Sequence, residues 1–142
     1  MLTVKEKKII QAVLDSEYGD NPTDDVWTMY LAEDAGLPAK SMGGIVSSLV
    51  KKGFVRANVC KGMGSGFGDM DTLGLTVDGV AAAQGAGLTS LKMENIVYAV
   101  SQGRDGKMRV TVEFRDSVKD RDEYELFDTL AEARNRATEL EE

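Results

Sequence analysis

Apolar residues recur with the 3.6-residue period of an α-helix in three segments of the first half of the chain. This pattern predicts helices over residues 4–18, 29–35 and 39–52. Trp27 and Tyr30, near the start of the second helix, are expected in the core. The predicted apolar faces of the first and third helices comprise Ile9, Ile10, Val13 and Leu14, and Met42, Ile45, Val46, Leu49 and Val50.

The ends of these helices carry recognisable signals. Thr3 and Glu6 have the spacing of a capping box, in which the threonine hydroxyl and the glutamate each satisfy a free backbone amide. Thr28 is the expected cap of the second helix. Glycines that can end a helix in the left-handed conformation follow each segment: Gly19, Gly36 and Gly53.

A hairpin and a fourth helix are predicted next. Residues 54–60 and 72–76 read as strands on either side of a glycine-rich turn at 61–71. Thr76 then caps a helix over residues 77–84. The segment Gly85-Ala86-Gly87 favours a boundary between one domain at 1–87 and another at 88–142.

The apolar period changes to two in the second domain. Met108, Val110, Val112 and Phe114 alternate with polar residues, which is typical of a half-buried strand. The turn signal Arg104-Asp105-Gly106 joins this strand to an earlier one at residues 96–101, so the two form a hairpin.

A polar loop at 116–122 leads to a third short strand at 124–127 and then to a last helix. Asp128 or Thr129 caps this helix, and Glu132 completes a capping box for Thr129. The predicted fold class is therefore α+β: four helices and a hairpin, followed by a small antiparallel three-stranded sheet with one C-terminal helix.

The order of the elements at 1–87 resembles that of winged helix-turn-helix domains, and the local sequence is similar to the MarR-like branch. The resemblance rests on LAEDAGLPAKSMGGIVSSLVKKGFV at 31–55 and LGLTVDGVAAA at 73–83, where such proteins often have Leu-Thr-x-x-Gly. It implies a protein that binds double-stranded DNA and regulates transcription, with the third helix in the major groove and the glycine-rich wing beside it.

Charge is unevenly distributed along the chain. The net charge is −7, yet residues 35–68 contain no Asp or Glu and carry a charge of +5. Such segregation can present a face that attracts DNA phosphates on an acidic protein. The candidate DNA-binding residues all lie in this segment: Lys40, Ser41, Gly43, Gly44, Ser47, Ser48, Lys51, Lys52, Arg56 and Lys61.

The residue types suggest how the contacts would be divided. Ser41, Ser47 and Ser48 can hydrogen-bond to base edges or phosphates, and Lys40 and Lys51 can contact phosphates. The five cations would neutralise at most five phosphates, which corresponds to a log–log salt slope of about −4 per subunit. One such interface makes few phosphate contacts, and a second subunit would double their number. We therefore expect a homodimer formed through the C-terminal module.

A second hypothesis stays open, in which the winged helix binds a protein and not DNA. Gly43 and Gly44 occupy positions where winged-helix regulators usually carry side chains that reach base edges, and each costs the helix about 1 kcal/mol relative to Ala. Bare backbone permits close docking but distinguishes few base sequences. An adaptor or an inhibitor of a host machine would fit these glycines.

Several functional classes are disfavoured by composition. The chain contains no histidine and one cysteine, Cys60, so we expect no internal disulfide, no zinc site, no cofactor and no enzymatic activity. The alternating glycines from Gly62 to Gly68 lack the spacing of nucleotide-binding loops, and Asp69 begins no complete calcium loop. Because residues 1–6 show no secretory signal and no apolar run approaches the roughly 20 residues that cross a bilayer, the chain is expected in the cytoplasm, away from membranes.

Overall fold

The computed structural model describes residues 2–16, 21–60 and 70–141. The chain is a mixed α+β protein with two antiparallel three-stranded sheets. It divides into two compact units, Met1–Lys92 and Met93–Glu142. The division follows Lys92, five residues after the glycine-rich boundary expected from the sequence.

Helix α1, Val4–Asp15, begins with the predicted capping box. The Glu6 amide donates to the Thr3 hydroxyl at 3.1 Å, and the Thr3 amide donates to the Glu6 carboxylate at 2.7 Å. The helix ends earlier than predicted, because Ser16 is already extended and its amide donates to the Val13 carbonyl. Residues 17–20, including the expected terminator Gly19, lie outside the described residues.

Helices α2 and α3 each follow a short 3-10 turn, which shortens both relative to their predicted spans. The turn Thr28–Tyr30 precedes α2, Leu31–Ala35, and the turn Ala39–Ser41 precedes α3, Met42–Lys51. Thr28 therefore opens a 3-10 turn instead of standing before an α-helix as its cap. Gly36 ends α2 as predicted, with φ of +70°.

The sheet of the first unit has the strand order β1-β3-β2. Strands β2, Val55–Cys60, and β3, Met70–Leu75, pair antiparallel from Val55 opposite Leu75 to Cys60 opposite Met70. Strand β1, Val26–Trp27, pairs with the other edge of β3. It was not predicted, because two residues are too few to show an alternating pattern.

The core of the first unit lies between the sheet and the helices. Helix α4, Val77–Gly85, follows β3 directly and is capped by Thr76 as predicted. The fully buried apolar side chains include Ile9, Ile10, Val13, Leu14, Leu31, Leu49, Leu73, Leu75 and Val80. Two sequence expectations were wrong, since Tyr30 and Val50 are each 44 % exposed.

The second unit has the strand order β5-β4-β6. Strands β4, Ile96–Gln102, and β5, Met108–Phe114, form the predicted hairpin, and β6, Glu125–Phe127, pairs with the other edge of β4. The central strand β4 is buried along most of its length.

Two helices complete the second unit. Helix α6, Leu130–Glu141, packs on the sheet, and its first turn receives the predicted cap, since the Glu132 amide donates to the Thr129 hydroxyl at 3.2 Å. The predicted polar loop at 116–122 instead begins within a short helix, α5, Arg115–Val118. Val118 explains this difference, because its side chain is 3 % exposed and anchors the segment to the unit.

Candidate nucleic-acid interface

Five candidate residues form one exposed stripe along α3 and the turn before it. Lys40, Gly43, Gly44, Ser47 and Lys51 are all exposed, and their spacing of three or four residues places them on the same side of the helix. We call this stripe the α3 outer face. Neither Lys40 nor Lys51 forms an ion pair with any carboxylate in the described part of the chain. The charge of both ammonium groups is therefore available to a partner.

The two glycines of the outer face have no packing role. A Cβ added to Gly43 or Gly44 would meet no atom within 4 Å. Both residues lie inside α3 and neither has a positive φ, so no backbone constraint requires glycine there. The fold alone therefore does not explain why the helix contains two residues that lower its stability.

Two other candidates lie on the flank of α3 that contacts α1, where Glu6 holds them. The Lys52 ammonium lies 2.7 Å from Glu6 Oε1, and the Ser48 hydroxyl donates to Glu6 Oε2 at 2.8 Å. The Glu6 side chain is only 2 % exposed, whereas Lys52 keeps 32 % of its side chain exposed. We call Glu6, Ser48 and Lys52 the α1–α3 clamp. Its geometry directs Ser48 and Lys52 towards the protein.

The clamp changes the acidity of Glu6. Burial by itself raises the pKa of this carboxyl, but the hydrogen bonds from Lys52, the Thr3 backbone and Ser48 outweigh burial and lower the pKa to about 2. Glu6 is therefore ionised throughout the neutral range, and its charge is compensated inside the fold.

Sequence reasoning identified Glu6 as a cap and missed its role in the clamp. The available signal was its position, since Glu6 lies three, four and seven residues before Ile9, Ile10 and Val13 and so shares their buried face. A carboxylate on a buried face requires a charged or hydrogen-bonding partner.

Arg56 is also held within the first unit. Its guanidinium lies 3.1 Å from the Asp25 carboxylate and donates to the Leu75 carbonyl at 2.8 Å and to the Thr23 carbonyl. These contacts tie the loop before β1 to the sheet. Gly74 lies directly beneath the pair, where a side chain would collide with both Asp25 and Arg56.

The remaining candidates do not extend the outer face. Ser41 is half-buried in the turn before α3. Lys61, together with the glycine-rich turn expected as the wing tip, lies outside the described residues. The structure thus brings five of the ten candidates together and places Ser48, Lys52 and Arg56 in contacts within the fold.

The segment Leu75–Gly79 joins β3 to α4 and contacts the residues that follow α3. The Thr76 hydroxyl accepts from the Gly79 amide at 3.0 Å and donates to the Gly53 carbonyl at 2.6 Å. The Thr76 amide donates to the Phe54 carbonyl at 3.0 Å. A Cβ on Gly79 would overlap the Phe54 carbonyl oxygen, so glycine is required for this close approach. This segment therefore fixes where α3 ends and β2 begins.

Two other kinds of functional feature do not occur in the described residues. No group of three or more metal-ligating side chains occurs within residues 2–16, 21–60 and 70–141. No helix in the described portion is both long and apolar enough to cross a bilayer.

Comparison with known proteins identifies no relative. No protein-family model matches the chain, and neither a curated protein nor a solved structure shows significant similarity to it. The MarR-like resemblance therefore stays a prediction.

Proposed function

We propose that the first unit is a winged helix-turn-helix domain that binds double-stranded DNA, in a non-enzymatic, cytoplasmic regulator of transcription. The order of helices α1, α2 and α3, the β2–β3 hairpin and α4 supports this assignment. The observation that carries it is the α3 outer face, a stripe without carboxylates that presents a serine and two lysines, neither of which pairs with a described carboxylate.

In this proposal α3 enters the major groove. Lys40 and Lys51 contact phosphates on either side of the groove, and Ser47 between them hydrogen-bonds to a base edge or a phosphate. Gly43 and Gly44 permit close approach of the helix backbone.

The contacts inside the fold revise the expected number of phosphate contacts. Because Glu6 and Asp25 hold Lys52 and Arg56, two uncompensated cations remain in the described part of the proposed interface. The corresponding log–log salt slope is about −2 per subunit, and about −3 if Lys61 also contacts a phosphate.

A titration of a fluorescent mixed-sequence duplex, followed by anisotropy at several salt concentrations, tests the proposal. The variant Lys40→Glu/Lys51→Glu should lose about tenfold or more in affinity. Lys5→Glu/Lys8→Glu is the matched control, because both residues are exposed, lie on α1 outside the α3 outer face and the proposed dimer unit, and change the net charge equally. Equal losses in the two variants would show that only the overall charge matters and would overturn the interface.

The second unit is proposed to form a homodimer. A two-fold dimer would place two α3 helices about one duplex turn apart and double the number of phosphate contacts. Native mass measured at micromolar concentration tests this, and a strict monomer with and without DNA would contradict it.

The packing of Gly43 and Gly44 favours a second candidate function. Two glycines with open space around them make α3 flat, which suits close docking on a protein as well as on DNA. If wild type and both variants fail equally to bind DNA, and a defined protein co-purifies with wild type but not with Gly43→Lys/Gly44→Lys, the protein-binding function is supported instead.

A further inference from the structure

Strand β5 forms one edge of the sheet in the second unit, and no described strand pairs with its outer side. It extends over seven residues, whereas β6, at the opposite edge, extends over three. A long unpaired edge presents a row of amide and carbonyl groups to which another strand can bond. The outer edge of β5 is therefore the part of this unit most suited to pairing with a further strand.

The hydrogen bonds at the two ends of the β4–β5 hairpin show which residues of β5 bond outward. The Gly103 amide donates to the Lys107 carbonyl, and the Arg115 amide donates to the Asn95 carbonyl, each at 2.8 Å. Residues along an antiparallel strand bond alternately to one side and the other. The odd-numbered residues of β5 therefore bond to β4, and the even-numbered residues direct their amide and carbonyl groups to the outer edge.

The outward groups in the middle of β5 belong to Val110 and Val112. Within the described residues, no hydrogen bond to them is found outside the β4–β5 ladder. The outward amide at the start of the strand is occupied, since Met108 donates to the Glu141 carboxylate at 2.9 Å. A pairing strand would thus find its free bonding groups at the two valines.

The sequence of β5, Met-Arg-Val-Thr-Val-Glu-Phe, is nearly symmetric about its central residue, Thr111. Two copies can pair antiparallel about a two-fold axis at Thr111. Val110 then lies opposite Val112 of the partner subunit, so the free backbone groups of the valines meet. Arg109 lies opposite Glu113 of the partner subunit, so each copy sets a cation against a carboxylate. Symmetry repeats both pairs on the other side of the axis.

Other registers suit this strand less well. A shift by one residue would set outward groups opposite groups that already bond to β4, so the ladder could not form. A register centred on Val110 would align only residues 108–112 with their copies. A register centred on Val112 would align only residues 110–114 and would set Arg109 opposite Arg115 of the partner subunit. The register centred on Thr111 aligns the whole of β5.

The two charged residues of β5 are weakly engaged within the unit. The Arg109 guanidinium lies 3.3 Å from the Asp105 carboxylate, and the Arg109 side chain is 61 % exposed. Such a surface pair contributes little, so the long side chain can turn to another carboxylate. Glu113 forms no ion pair with a described residue. Opposite charges directly across an antiparallel pair stabilise it, and like charges destabilise it.

We propose that two copies of this chain pair through the outer edges of β5, in the register centred on Thr111, and join their sheets into one six-stranded antiparallel sheet. This inference rests on the homodimer proposed above for the second unit and names the surface that forms it. Val110 and Val112 supply the backbone bonds between the copies. Arg109 and the partner's Glu113 supply the charge complementarity that selects the register.

Exchange of the charges tests the pairing, with the Kd of the dimer measured by sedimentation at micromolar concentration. Arg109→Glu and Glu113→Arg each set like charges opposite one another, so each variant alone should dimerise about tenfold more weakly. Equimolar mixing of the two variants restores opposite charges in a heterodimer and should restore the wild-type Kd. Lys119→Glu, at an exposed position of the same unit, is the matched control and should dimerise as wild type does.

The outcomes separate this proposal from the proposed function. If wild type is a dimer and neither single variant weakens it, the interface lies elsewhere, and only the β5 pairing is overturned. Weak dimerisation of both variants without recovery on mixing would also overturn the charge pairing. A strictly monomeric wild type would overturn the homodimer together with the β5 pairing, whereas the duplex titration would still decide DNA binding.

Cysteine cross-linking tests the register. Cys60 is the single cysteine of the chain, so Cys60→Ser provides the background. Thr111→Cys would place two thiols opposite each other at positions where Cα atoms lie about 4.5 Å apart, within reach of a disulfide. Mild oxidation should then give a covalent dimer. Glu113→Cys is the matched control and should cross-link much less, because it lies opposite the partner's Arg109. Equal cross-linking at the two positions, or none at position 111, would overturn the register.

Discussion

The two sides of α3 differ in how strongly the fold constrains them. On the inner side, Ser48 and Lys52 contact Glu6, and the junction after the helix requires Gly79 beneath the Phe54 carbonyl. On the outer face, a Cβ added to Gly43 or Gly44 would meet no atom within 4 Å, and no described carboxylate pairs with Lys40 or Lys51. The contacts within the fold thus account for the residue types on the inner side. They do not account for those on the outer face, where we expect a partner to bind.

The difference also shows how a charge count can mislead. Residues 35–68 carry a charge of +5, but Glu6 and Asp25, which lie outside that segment, compensate two of these charges. A segment without acids along the chain is therefore not the same as a cationic surface in space.

The largest expected effect is at the junction. Gly79→Ala should lower the free energy of unfolding by about 3 kcal/mol, because its Cβ would overlap a backbone oxygen that cannot move without displacing β2. Gly85→Ala is the control in the same helix, since its Cβ would meet nothing within 4 Å. Urea unfolding measures both, and similar stabilities would show that the junction is not tightly packed.

The next effect concerns the clamp. Glu6→Gln should destabilise the protein by about 2 kcal/mol, because it removes a buried charge that Lys52 and Ser48 compensate. Glu33→Gln, on the exposed side of α2, should change stability by less than about 0.5 kcal/mol. If the two variants have the same free energy of unfolding, Glu6 contributes no more to stability than a surface residue does, which contradicts this prediction.

The same carboxylate predicts a pH dependence. Its pKa is about 2 in the folded state against an ordinary value of 4.5, so the unfolded chain binds its proton first as the pH falls. The stabilisation by Glu6 is complete above about pH 4.5 and is lost as the pH falls towards 2. Unfolding curves of wild type and Glu6→Gln should therefore converge between these pH values, and a constant gap would contradict the assignment.

Smaller effects are expected on the outer face. Gly43→Ala and Gly44→Ala should each stabilise the protein by about 1 kcal/mol, since alanine favours the helix and open space surrounds both positions. If the backbone approaches DNA closely there, the more stable variants should bind the duplex more weakly. Thermal unfolding and anisotropy on the same samples separate the two effects, and unchanged affinity would remove the glycines from the interface.

The smallest effects on stability are expected for the free lysines. Lys40→Ala and Lys51→Ala should each change the free energy of unfolding by less than about 0.5 kcal/mol and reduce the magnitude of the log–log salt slope by about 1. Lys52→Met should leave that slope unchanged, because Glu6 already compensates its charge. A reduced slope for Lys52→Met would place this residue at the DNA.

Local features of the protein could be predicted well. The capping box at Thr3, the cap at Thr76, the left-handed Gly36 and the β4–β5 hairpin all depend on residues close together in the chain. Helical and strand periods, and the hydrogen bonds that cap a helix, act over a few residues, so the sequence displays them directly.

Other features required the tertiary structure. Strand β1 is too short to show a period and forms because β3 offers it a free edge. Helix α5 forms where Val118 can be buried. For the candidate site, α3 and its exposed stripe could be predicted from the sequence. The sequence could not show which cations pair with carboxylates elsewhere in the fold.

The sequence by itself determined the helices, the hairpins and the apolar faces, because these depend on spacing along the chain. Only the tertiary structure decided that, among the described residues, carboxylates compensate Lys52 and Arg56 but not Lys40 or Lys51. Glu6 and Lys52 are 46 residues apart in sequence. Electrostatic compensation depends on distance in space, and that distance is set only when the helices pack.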